Sequence, residues 1–172
     1  MARQLWLLRH ADAEPHGTRP DSDRRLTPRG ERQSRAAGRA LARMGVTFDA
    51  ALASPKERAL RTAALALEVW GEDDQADNTP PPELELHEPL RSGFDARDAL
   101  ALLAGLDGGG RVLAVGHEPD LSGVVAALTG ARIDLKKGGL AVVSSAGAAG
   151  ELVLLLRPAE LALIAGLAPV ES

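Results

Sequence analysis

Leu5-Trp6-Leu7-Leu8 is an unbroken apolar run, and Arg9-His10 follows it at once. A strand covered on both faces reads this way, because neither side meets water. The same form recurs twice. Ala50-Ala51-Leu52-Ala53 runs into Ser54-Pro55-Lys56-Glu57-Arg58, and Val112-Leu113-Ala114-Val115 runs into Gly116-His117. Between these runs lie segments of helical period. Thr27 caps the first and Pro28 suits its first position. Ala37, Ala40, Leu41 and Met44 share its inner face, and Gly45 marks the stop. Ser54-Pro55-Lys56-Glu57 reads as a capping box for the second helix. Its inner stripe is Ala59, Thr62, Ala63, Ala66, Leu67 and Trp70, with Gly71 at the end. Leu121, Val124, Val125 and Leu128 space a further helix that Gly130 stops. This alternation predicts a three-layer α/β fold, a mostly parallel sheet with helices on both faces.

Working outward, Leu84–Leu86 reads as a short strand, 96–106 as a helix and 158–167 as a last helix. Leu140–Ser144 and Leu152–Leu156 read as a hairpin that adds antiparallel pairing. Glu72–Glu83, acidic and carrying Pro80-Pro81-Pro82, reads as a surface loop within one domain spanning 1–172.

Composition narrows the function. Lys plus Arg is 20 against 24 for Asp plus Glu, a net charge of −4, so general nucleic-acid binding is not expected. Aromatic residues are 2%, too few for base-stacking platforms. The chain has no cysteine, which excludes disulfides, thiolate catalysis and Cys-ligated metals. Four apolar residues before Arg9 are too few for a signal-peptide core. No apolar run approaches the ~18 residues of a spanning helix, so neither a membrane partner nor a secreted location is expected. The expected location is the cytoplasm.

Ligands of open α/β sheets bind beyond the carboxyl ends of the strands. Arg9-His10, Ser54 to Arg58 and Gly116-His117 all fall there. Two guanidiniums and two imidazoles at one sheet edge, beside a helix start whose dipole favours negative charge, point to an anion site. Arginine forks fit phosphoryl oxygens in bidentate fashion. Taken singly, each residue has a bland explanation: a lone histidine after a strand is usually structural, and Arg58 alone would be a solvated helix charge, as Arg61 is expected to be. The ordered set carries the inference.

These segments resemble the histidine phosphatase superfamily, which has the phosphoglycerate mutase-like fold. The likeness rests on Leu7-Leu8-Arg9-His10-Ala11, on Ser54 through Ala63, on Val115-Gly116-His117-Glu118-Pro119 and on the Arg-Leu-Thr-Pro-Arg-Gly helix start from Arg25 to Gly30. It covers roughly residues 3 to 130 and is most similar to the small SixA branch of phosphohistidine phosphatases. Ala11 stands where the family has glycine. The resemblance implies a catalytic set of His10, Arg9, Arg58 and His117. His10 would be the nucleophile, its second ring nitrogen donating to a backbone carbonyl. Arg9, Arg58 and a protonated His117 would hold the phosphoryl oxygens, with no metal and no cofactor. An ester leaving group needs an acid, for which Glu88, Glu118 and Asp120 are the candidates. Phosphohistidine relaxes that need, because imidazole, of pKa about 6.5, leaves readily. Only positions 59 to 116 separate Arg58 from His117, which leaves little chain for a lid. A shallow site favours a phosphorylated protein as partner over a small phosphomonoester or a non-catalytic phospho-ligand role. Arg24 and Arg25 are rim candidates; His16 and His87 are expected to be exposed and uninvolved.

Overall fold

A computed structural model describes residues 1–72 and 79–169. Six strands form one sheet in the order β3-β2-β4-β1-β5-β6. They are β1 (Arg3–Arg9), β2 (Ala50–Ala53), β3 (Leu84–Leu86), β4 (Arg111–Gly116), β5 (Leu140–Ser145) and β6 (Gly150–Leu156). Strands β1 to β4 run parallel, and the β5–β6 hairpin joins β1 antiparallel. The helices are α1 (Pro28–Arg43), α2 (Glu57–Glu72), α3 (Ala96–Ala104), α4 (Asp120–Thr129) and α5 (Pro158–Ile164). The three-layer α/β expectation holds.

Strand β1 shows why its sequence lacks alternation. Trp6 and Leu8 pack into the layer under α1, α2 and α5. Leu5 and Leu7 pack into the opposite layer under α3 and α4. Both faces are dry from Leu5 to Leu8, so these four residues are all apolar. Helix α1 starts as its sequence requires: the Thr27 hydroxyl accepts from Gly30 N–H at 3.1 Å, with Pro28 beyond the cap. It ends at Arg43, and Gly45 takes φ +66°, the left-handed turn that glycine tolerates. Where α1 crosses α2, Gly38 lies against the Ala66 carbonyl with no room for a Cβ.

Several boundaries differ from expectation. Helices α3 and α5 end at Ala104 and Ile164, short of 106 and 167. Helix α2 begins at Glu57, so Ser54 is no capping-box residue; its hydroxyl accepts from Lys56 N–H at 3.2 Å and serves the site instead. Positions 73–78 of the acidic loop lie outside the described residues. Among the described residues, no helix is long and apolar enough to cross a membrane.

Candidate active site

Register brings the chemistry together. Arg9 lies opposite Gly116 across β1–β4, and Ala53 lies opposite Val115 across β2–β4. His10, Ser54 and His117 therefore leave three adjacent parallel strands side by side. The two imidazole centroids are 5.2 Å apart. Residues Arg9, His10, Arg58 and His117 line one cavity of about 490 Å³. All four sequence candidates are thus gathered at one place.

The tautomer of His10 is determined from both sides. Its Nδ1 is 2.8 Å from the Ala11 carbonyl oxygen, which can only accept. Its Nε2 is 3.4 Å from Arg58 Nε, which can only donate. The proton therefore sits on Nδ1, and Nε2 keeps a lone pair. Burial, with Arg58 and Arg9 nearby, pushes the His10 pKa down to about 3. Burial and the positive charges of Arg58 and Lys56 push His117 down to about 3 as well. Both rings are neutral near pH 7 in the free protein; the protonated His117 of the sequence reading belongs to the state with a phosphoryl group bound. The His117 Nε2 lies 2.8 Å from Ser54 Oγ, while its buried Nδ1 has no partner among the described residues.

Ala11 is fully buried, and the backbone around it is pinned. Its N–H donates to Thr62 Oγ1 at 3.1 Å, and that hydroxyl donates to the Arg58 carbonyl at 2.7 Å. Thr62 therefore ties α2 to the turn that orients His10. The inner-stripe spacing had marked Thr62 only as core.

Asp21 is the larger omission. It sits in a 3₁₀ turn, Asp21–Asp23, in the connection between β1 and α1. Its carboxylate takes Lys56 Nζ at 2.8 Å, Arg24 Nε at 3.1 Å and Arg58 Nη2 at 3.4 Å. Its carbonyl takes Arg58 Nη1 at 2.7 Å. The Lys56 hydrogen bond and the neighbouring guanidiniums hold the Asp21 carboxyl far below the ordinary range. No periodicity marks such a residue; only the packing of its loop onto α2 creates the role. Arg24 is buried, donates to the Glu14 carbonyl at 2.7 Å and lines the cavity, whereas Arg25 is exposed. Arg9 is anchored to the Leu135 carbonyl at 2.9 Å.

Among the proton-donor candidates, Glu118 lines the cavity. Glu88 is exposed and pairs with Arg91 at 2.6 Å. Asp120 accepts from Gly93 N–H at 2.8 Å. His16 is exposed at the cavity mouth. His87 is not exposed as expected: it is half-buried, its ring edge-on to Phe94 at 6.3 Å. Among the described residues, no group of three or more His, Asp or Glu is arranged to hold a metal ion.

The model of the histidine phosphatase superfamily, branch 1, matches residues 5–84. An uncharacterized protein of a Picosynechococcus species is 30% identical over 90% of this chain and 96% of its own length. A 2,3-bisphosphoglycerate-dependent phosphoglycerate mutase of Methylobacterium radiotolerans is 47% identical, over only 41% of this chain and 35% of its own. The protein histidine phosphatase SixA in complex with tungstate superposes with TM-score 0.78 and 26% identity, covering 92% of this chain and 99% of that one. A putative phosphohistidine phosphatase SixA from Nakamurella gives TM-score 0.73 and 27% identity, over 92% and 97%. With the strand-end set in place and this likeness along nearly the whole chain, the protein belongs to the histidine phosphatase superfamily, in its SixA-type branch.

Proposed function

We propose that this phosphatase hydrolyses phosphohistidine on a protein through a phosphohistidine enzyme intermediate carried by His10. The observation that carries the reading is the His10 ring itself, held neutral with its Nε2 lone pair free of a proton. That nitrogen attacks phosphorus in line. The new P–N bond forms as the bond to the leaving group breaks, and the departing imidazole takes its proton from water. Arg9 and Arg58 meet the charge on the equatorial oxygens. The unpartnered Nδ1 of His117 donates to one of these oxygens when Ser54 donates to Nε2, so a phosphoryl group satisfies a buried polar atom. Water then attacks the phosphoenzyme and releases phosphate, restoring the neutral ring. Fixed cations take the electrostatic role, and no metal is invoked.

The protein with labelled phosphohistidine substrate, quenched in base, should yield an acid-labile label on the peptide containing His10. EDTA should leave the rate unchanged. A label on another residue, or full activity in His10→Ala, refutes the mechanism. One observation favours a second reading, a small phosphomonoester: Glu118 lines the cavity, where it can protonate an alkoxide. A higher kcat/KM on sugar phosphates than on phosphohistidine protein would establish it.

A further inference from the structure

Helix α1 carries Arg29, Arg32, Arg35, Arg39 and Arg43. At 3.6 residues per turn these five fall within about one third of the helix circumference and run about 21 Å along it. Among the described residues, none of the five has a carboxylate within ion-pair distance. Such a stripe is unexpected on a chain whose net charge is −4.

The stripe is continuous with the catalytic cavity. A second cavity, of about 260 Å³, is lined by Arg9, Asp12, Arg29, Lys136 and Lys137 among others. Arg9, Asp12 and Lys137 line both cavities. Of the residues lining the second one, Arg9 and Arg29 have shielded Nε atoms without a hydrogen-bond partner among the described residues, a cost that an incoming carboxylate would remove. Beyond Arg29, a cleft of about 380 Å³ is lined by Arg32, Arg35 and Arg39 against a single described carboxylate, Glu72, with Val69 and Leu167 as its apolar edge.

We propose that this cationic track, from the catalytic cavity through Arg29 along α1, docks an acidic face of the phosphohistidine-bearing protein. The proposal rests on the function given above and names the chemistry of its substrate. Continuity with the cavity decides in favour of a phosphoprotein, because the partner that lies along the track also presents the phosphoryl group. A nucleic acid is disfavoured: Trp6, Phe48, Trp70 and Phe94 are all buried, so no tryptophan or phenylalanine is available to stack bases. Rim charges of this kind govern encounter and KM more than the chemical step.

Two phosphohistidine peptides that differ only in glutamate or glutamine flanks test the track, with the native protein and R32E/R35E. The native protein should favour the glutamate peptide more than ~10-fold in kcat/KM, through KM, and lose the preference at ~0.5 M salt. R32E/R35E should abolish the preference, R32Q/R35Q should reduce it, and hydrolysis of an aryl phosphate should stay within about twofold in both. An unchanged preference in R32E/R35E overturns the proposal. Fluorescence anisotropy of the labelled, unphosphorylated glutamate peptide tests docking apart from chemistry. Binding lost in R32E/R35E supports the track. Tighter binding of an RNA 12-mer or of phosphatidylserine vesicles refutes it. Hydrolysis of the aryl phosphate but of neither peptide refutes the phosphohistidine reading, and anisotropy then decides the track alone.

Discussion

Thr62→Val isolates the contact that orients the nucleophile. Valine nearly matches threonine in shape but can neither accept from Ala11 N–H nor donate to the Arg58 carbonyl. Both residues are buried, so no water replaces the lost partner. A buried N–H left unsatisfied costs about 1–3 kcal/mol. For a chain of this size each kcal/mol lowers Tm by roughly 2–4 °C, so a fall of about 5 °C is expected. The kinetic consequence follows from what Ala11 does: its carbonyl accepts from His10 Nδ1 at 2.8 Å. Releasing that turn lets the ring move, and a displacement of about 1 Å costs up to ~10²-fold in rate. Thr62→Val should therefore lower kcat at least ~10-fold with little change in KM, whereas Thr62→Ser, which keeps the hydroxyl, should stay within about threefold. Thermal melts and steady-state kinetics on an aryl phosphate measure both effects. Thr62→Val with native Tm and native kcat would show that the hydroxyl does not position His10.

Three further outcomes are expected. His10 and His117 have folded pKa values near 3 against about 6.5 when unfolded. Between these values the unfolded chain binds more protons, so stability is fully present above about pH 6.5 and is lost as pH falls toward 3. Urea midpoints at about pH 5 should lie below those at about pH 7.5, and the native-state imidazole signals of both residues should not titrate across that range. Gly30→Ala places a methyl on the Asp12 carbonyl oxygen, which pushes the loop after β1 away from α1; a Tm loss larger than that of Gly123→Ala, where space is open, is the measurement. Asp21→Asn removes the charge shared by Arg24, Lys56 and Arg58. Arg58 is buried and keeps the Asp21 carbonyl at 2.7 Å but loses its ionic partner, so kcat should fall; native kcat in Asp21→Asn would mean that the carbonyl contact alone holds Arg58.

The sequence by itself determined the layers and the identity of the strand-end residues. Both kinds of pattern are local: Leu5 to Leu8 declare a two-sided strand, Thr27-Pro28 a helix start, and Arg9-His10 and Gly116-His117 sit where any parallel sheet opens. Tertiary structure alone decided that β4 inserts between β1 and β2, which puts His10 and His117 side by side. It also decided that Ser54 faces an imidazole instead of capping α2, that Thr62 bonds across helix and turn, and that Asp21 clamps Arg58. Each of these joins residues remote in the chain through one directional contact. A directional contact leaves no period in the sequence, whereas burial of an apolar face does.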